Sequence, residues 1–205
     1  MSDNERPITI VVAGYSGVGK STIIKRLAKK LPGSVIRGGD KYLLPFVASS
    51  KRNFILSIKA LRNVEQVDIS KEFLTKGTIF ISNKFNKLKF KKKVRFVIYD
   101  YLMIQDTDKW NEADIRIKVD ADEEKRAEKL ANRFSLDTLL SKNRKKMARI
   151  RDLAMEESMS NIKSVDFTIF NPYDKEVLKK VDEIAEKILY DKGSRVLSSD
   201  KFIRK

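Results

Sequence analysis

Gly14 to Ser21 reads GYSGVGKS and satisfies the pattern G-x-x-x-x-G-K-[ST]. Glycines at this spacing let a loop curl until several backbone N–H groups aim at one anion, and a helix starting at the lysine adds the positive end of its dipole. Lys20 reaches the outer phosphates of a polyphosphate, and the Ser21 hydroxyl supplies an oxygen ligand for Mg²⁺. The candidate nucleotide-binding residues are therefore Gly14, Tyr15, Ser16, Gly17, Val18, Gly19, Lys20, Ser21 and Thr22. Such a cradle, taken alone, leaves kinase, GTPase and motor ATPase open.

Two carboxylates narrow the chemistry. Asp40 follows two glycines in VIRGGDKYLLP, and Asp100 ends the apolar run VRFVIYD. A hydroxyl that attacks a phosphoryl group needs a base to orient it and take its proton, which Asp40 offers. The competing use of an Asp after glycine is to cap the next segment. Asp100 suits a second Mg²⁺ ligand, direct or through water. The chain has no histidine and no cysteine, so general-base work falls to carboxylates, any metal is a hard cation on oxygen ligands, and a disulfide framework is excluded.

The elements that must bring these groups together alternate in type. Ile8 to Ala13 is a β-branched run suited to a strand buried on both faces. Ile23, Ile24, Leu27 and Leu31 then fall at helical spacing before Pro32-Gly33. Val35-Ile36 predicts a second strand, and Phe54, Ile55, Ile58, Leu61 and Val64 an amphipathic helix. Residues 77–90 alternate apolar and polar around Asn83 to Asn86, which predicts a β-hairpin insertion over about 77–92. Further strands are expected at Val94 to Tyr99, Ile115 to Val119 and 166–170, with helices over 122–133, 138–159 and from Pro172 onward. This order predicts an α/β domain over 1–190, with a parallel sheet, helices on both faces and a helical lid over about 122–146. The tail, 191–205, shows no pattern. Ligands in such sheets bind beyond the C-terminal strand ends, where Gly14, Asp40 and Asp100 would all arrive.

GYSGVGKST, GGDKYLLP, VIYDYLMIQ and RIKVDADEEKRAEKLANRF occur in the order found in the small-metabolite kinases of the P-loop superfamily. Over roughly residues 7–190 the chain resembles uridine kinase, nicotinamide riboside kinase and, more loosely, dephospho-coenzyme A kinase. The resemblance implies the three-layer P-loop NTPase fold, ATP with GTP left open beside it, and Mg²⁺ held by Ser21 and Asp100. It implies Asp40 as the base that activates an acceptor hydroxyl, Tyr42 and Tyr101 as substrate-binding residues, and Lys20, Arg126 and Arg133 as catalytic cations. Arg126 and Arg133 stand seven apart and so share one helical face.

Lys and Arg number 44 against 28 Asp and Glu, a net charge of +16. Two runs concentrate it, KFNKLKFKKKVR at 84–95 and KNRKKMARIR at 142–151, neither with an acid. They suit nucleic acid, with Phe85 and Phe90 stacking on bases, or plain solvated surface. No apolar run approaches the ~18 residues that span a bilayer, so a cytoplasmic protein without a membrane partner is expected. The leading expectation is phosphoryl transfer from ATP to a hydroxyl of a small, nucleoside-like metabolite. The alternatives are a polynucleotide 5′-hydroxyl kinase, with the basic runs as its channel, and a nucleotide-gated GTPase or ATPase module. Against the latter, the guanine-reading N-K-x-D pattern fails at Asn83-Lys84, where Asn86 takes the place of Asp.

Overall fold

The computed structural model describes residues 6–62, 67–133 and 144–197. Five strands, β1 (Ile8–Ala13), β2 (Ser34–Gly38), β3 (Phe96–Asp100), β4 (Ile115–Ala121) and β5 (Phe167–Asn171), form one parallel sheet in the order β2-β3-β1-β4-β5. The chain leaves β1, crosses β3 to reach β2, then returns to the other side of β1. This reversal puts a crevice at the C-terminal end of β1, flanked by β3 and β4.

The two-residue period of each strand divides the core in two. Ile8, Ile10 and Val12 of β1, Phe96 and Ile98 of β3, and Ile115, Ile117 and Val119 of β4 face α1 (Lys20–Lys30) and α8 (Glu176–Leu197). Those helices contribute Ile23, Ile24 and Leu27, and Val177, Val181, Ile184 and Ile188. On the other face, Val11, Ala13, Val97 and Tyr99 meet α4 (Val67–Asn86), the short α5 (Asp108–Asn111) and α7 (Arg144–Ser160). Each fully buried Ile, Leu or Val contributes about 1.5–3 kcal/mol, so both layers are needed to hold the crevice. Among the described residues the remaining α-helices are α2 (Leu43–Ala48), α3 (Lys51–Arg62) and α6 (Glu123–Arg133).

The expected β-hairpin is absent: residues 77–86 belong to α4. Gly77, Thr78, Ile81 and Phe85 are buried while Ile79 is 59% exposed, a helical spacing that seats Phe85 on Tyr99 with ring centroids 4.8 Å apart. The β-branched stretch TIFIS fits either period locally, and packing against β3 selects the helix. Helix α8 continues past Asp191 to Leu197, so the tail is partly helical. The segment 134–143, in the expected lid, lies outside the described residues. Among those described, no helix is long and apolar enough to cross a membrane.

Asp182 of α8 fastens the helical layer to α1. It accepts from Arg26 Nε at 2.6 Å and pairs with Lys30 at 3.0 Å. The hydrogen bond from Arg26, foremost, lowers its pKa from 3.8 to about 2. A depressed carboxylate pKa stabilises the fold above the unfolded value and loses that contribution as pH falls through the folded one. Asp182→Asn should therefore melt below the parent protein at pH 7, with the gap closing between pH 3.8 and about 2. A gap unchanged across that window in thermal melts would count against the linkage.

Candidate active site

The cradle follows β1, with Gly19 as the N-cap of α1 in a left-handed conformation, φ 89°. A side chain there is excluded twice, by that φ and because a Cβ would lie 2.3 Å from Asn171 Nδ2. No side chain caps the helix. Among the described residues, the backbone amides of Gly17, Val18 and Gly19 donate no hydrogen bond within the protein. The loop carbonyls are all engaged. Gly14 O and Tyr15 O accept from Lys20 Nζ at 2.6 and 2.9 Å, and Ser16 O accepts from Arg126 at 3.3 Å. Gly17 O accepts from the Tyr173 hydroxyl at 3.0 Å, Val18 O from Asn171 Nδ2 at 2.8 Å, and Gly19 O from the amides of Thr22 and Ile23. With the carbonyls tied outward and the amides open, the loop presents donors and no acceptors to an anion.

Ser21 and Asp100 meet as expected, the hydroxyl donating to Asp100 Oδ2 at 3.4 Å. A hydroxyl beside a carboxylate is a hard-oxygen donor pair that fits Mg²⁺. No group of three or more acidic, His or Cys side chains able to hold a metal occurs among the described residues. The pair thus fits a cation that also takes phosphate oxygens, the usual habit of Mg²⁺.

Asp40 opens a 3-10 turn, Asp40–Tyr42, directly after β2. Gly38 pairs with Asp100 across the sheet, and Gly39 N donates to Asp100 O at 2.8 Å. The two acids therefore sit on neighbouring strand ends. Asp40 is exposed, and among the described residues its carboxylate makes no hydrogen bond or ion pair. It is not spent as a cap.

The two tyrosines sit deeper. Tyr42 is half-buried, edge-on to Phe85 with centroids 6.1 Å apart, and the Lys41 ammonium lies 4.9 Å from its ring. Tyr101, expected beside the acceptor, is 5% exposed, and its hydroxyl shares a hydrogen bond with Thr78 Oγ1 at 3.2 Å. Burial pushes its pKa up to about 12, so it stays neutral. Its ring packs so tightly under Gly39 that a Cβ there would come within 2.5 Å. Tyr101 thus props the turn that presents Asp40.

Arg126 of α6 is only 6% exposed. Its guanidinium lies 5.1 Å from the centroid of the Tyr15 ring and pairs with Asp152 of α7 at 2.7 Å. A buried cation needs such a partner to offset desolvation. The structure brings Arg126 onto the cradle itself, as an anchor of Ser16 O. The side chain of Arg133 lies outside the described residues, as do those of 142–151. Lys129 lies 5.9 Å over the ring of Tyr173, a non-glycine residue at φ 66°; such conformations are uncommon and need surrounding contacts to hold them.

Asn171, Tyr173 and Asp152 were not singled out from the sequence. The only signal for the first two was Asn171-Pro172 closing a strand, a position that this topology carries to the cradle. Asn171→Ala strands the Val18 carbonyl and releases Tyr173 N, which Asn171 Oδ1 accepts at 2.8 Å. A loss of about 1–3 kcal/mol in chemical denaturation is expected. Unchanged stability would show that the loop holds its shape without this tie.

No protein-family model and no curated protein matches the chain. Solved structures do. A Thermus thermophilus protein, TT1252, aligns with a TM-score of 0.60 at 14% identity, over 90% of this chain and 99% of its own. Shikimate kinase from Bacteroides thetaiotaomicron aligns with a TM-score of 0.56 at 15% identity, over 89% and 98%. Shikimate kinase from Acinetobacter baumannii, in complex with shikimate, aligns with a TM-score of 0.51 at 14% identity, over 97% of both chains. The likeness does not single out the uridine kinase group. The chain has the three-layer P-loop NTPase fold, in the form that shikimate kinases share.

Proposed function

We propose that this protein is an ATP-dependent kinase that phosphorylates a hydroxyl of a small metabolite. The observation that carries this reading is the exposed, uncommitted Asp40 on the strand end next to Asp100, beside a cradle whose free amides select a polyphosphate. The fold likeness to shikimate kinases, one of them holding shikimate, supports a small-molecule acceptor. The sequence resemblance to uridine kinase adds the narrower reading of a nucleoside-like one.

The amides of Gly17, Val18 and Gly19 and the Lys20 ammonium bind the β and γ phosphates. Ser21 and Asp100 would hold Mg²⁺, which would supply charge neutralisation for the phosphoryl group. Asp40 orients the acceptor hydroxyl and takes its proton as the new phosphorus–oxygen bond forms. The bond between the γ phosphorus and its bridging oxygen breaks, and ADP leaves with the electron pair. Arg126, fixed by Asp152, keeps Ser16 O turned out of the cradle and places positive charge at its rim.

Asp40→Asn is nearly isosteric and removes the base while leaving the cradle intact. Binding of ATP with Mg²⁺, followed by calorimetry, should be retained. Transfer of labelled γ-phosphate to a panel of hydroxyl metabolites should drop by at least ~10²-fold. Undiminished transfer would remove Asp40 from the mechanism, and failure of the parent protein to label any small acceptor would overturn the reading itself.

A further inference from the structure

The first basic run does not lead into the crevice. Residues 87–95 carry the chain from the end of α4 to the start of β3. There Arg95 N donates to Gly33 O at 2.9 Å and Arg95 O accepts from Ile8 N at 2.8 Å. Since Ile8, Ser34 and Phe96 are paired first residues of parallel strands, the end of this run lies on the N-terminal edge of the sheet. The cradle and both acids lie at the other edge, about 16 Å away for a five-residue strand.

The apolar residues of the run are turned inward. Leu88, Phe90 and Val94 pack on the core cluster of β3 and α4, and Phe90 is covered by the Arg37 guanidinium at 5.5 Å. Phe85, the other ring expected to stack on bases, is 1% exposed. Outward stand Lys87, Lys89, Lys91, Lys92 and Lys93, all exposed. Among the described residues none of these five has an ion pair or a side-chain hydrogen bond. Exposed Lys29, in the last turn of α1, extends the patch: the loop after that helix brings Gly33 against Arg95 and the Lys93 carbonyl.

We propose that this edge docks the phosphate backbone of a double-stranded nucleic acid. Five unpaired ammonium groups without an intervening acid match a continuous polyanion. With Phe85 and Phe90 turned to the core, the run itself offers no base-stacking platform for a single strand. With the apolar side chains turned in, nothing is offered for insertion between lipid chains. Binding is therefore independent of sequence, steeply dependent on salt, and compatible with an occupied active site.

The test uses the full chain with labelled RNA and DNA duplexes, read by fluorescence anisotropy between about 50 and 200 mM salt. The variant carries Lys91→Glu, Lys92→Glu and Lys93→Glu. A charge-matched control carries Lys175→Glu, Lys179→Glu and Lys180→Glu on and beside α8, all exposed positions. The run variant should lose at least ~10-fold in duplex affinity, and its log–log salt slope should flatten by about 3. The control should lose clearly less, while both keep the parent melting temperature. The RNA and DNA arms identify which duplex is preferred, and binding of either supports the proposal. Equal losses in the two variants would reduce the effect to net charge. Tighter binding to phosphatidylserine vesicles or polyglutamate than to either duplex, or no duplex binding at low salt, would overturn the proposal.

Discussion

The candidate site depends on one constraint: the loop between β1 and α1 must turn its carbonyls outward if its amides are to hold an anion. A peptide group carries donor and acceptor together, so amides can converge on phosphate only if the paired carbonyls find partners elsewhere. Here those partners come from three places in the chain: the start of α1, α6 and the end of β5. Lys20 takes the first two carbonyls, Arg126 of α6 the third, and Tyr173, just past β5, and Asn171, its last residue, the fourth and fifth. The first turn of α1 takes the last. The sheet order makes this feasible, because β4 lies beside β1 and delivers α6 to the crevice, with β5 next in line.

The same sheet sets the reacting groups. Parallel register aligns Gly38 with Asp100, so the proposed base and the proposed metal-supporting acid stand on adjacent strand ends without a dedicated scaffold. What distinguishes them is environment. Asp100 faces the Ser21 hydroxyl, whereas Asp40 is lifted into solvent by a turn that rests on Tyr101. Tyr101 is anchored in turn by Thr78 of α4. Helix α4 therefore supports the turn that carries Asp40, the proposed acceptor side, and its packing on β3 contributes to how Asp40 is presented.

Much of this was readable from residue order. The cradle, Asp40 and Asp100 are local patterns, and all five strands lie where the apolar runs put them. The hairpin expectation failed because TIFIS satisfies either period over a few residues. Only the longer spacing from Leu74 through Gly77, Thr78 and Ile81 to Phe85 shows a helical face, and the helix is stabilised by rings and strands distant in sequence. Asn171 and Tyr173 escaped notice for a related reason: their cradle contacts span 153 and 156 residues. A single sequence offers no period or motif for a contact made by topology alone. Arg126 is legible as a cation near the cradle, but its contacts with Ser16 O and Asp152 are not, since Asp152 lies at the end of a run that reads as uniformly basic.

The high positive charge separates into two roles by position. At the C-terminal edge of the sheet, cations are bound up in structure: Lys20 lies folded on loop carbonyls, and Arg126 is sealed against Tyr15 and Asp152. Their charge acts at short range, in a setting where water is partly excluded and salt screens little. The lysines of 87–93 stand in water, where salt screens them strongly and isolated pairs contribute little. Such groups matter only collectively, against a ligand that is itself a line of charge. The run at 84–95 does not line a channel that would feed a polynucleotide end to Asp40, because it ends at the sheet edge remote from the crevice. The two uses proposed above, phosphoryl transfer to a small acceptor and attachment to a polyanion, are therefore assigned to opposite ends of the sheet, separated by the length of its strands.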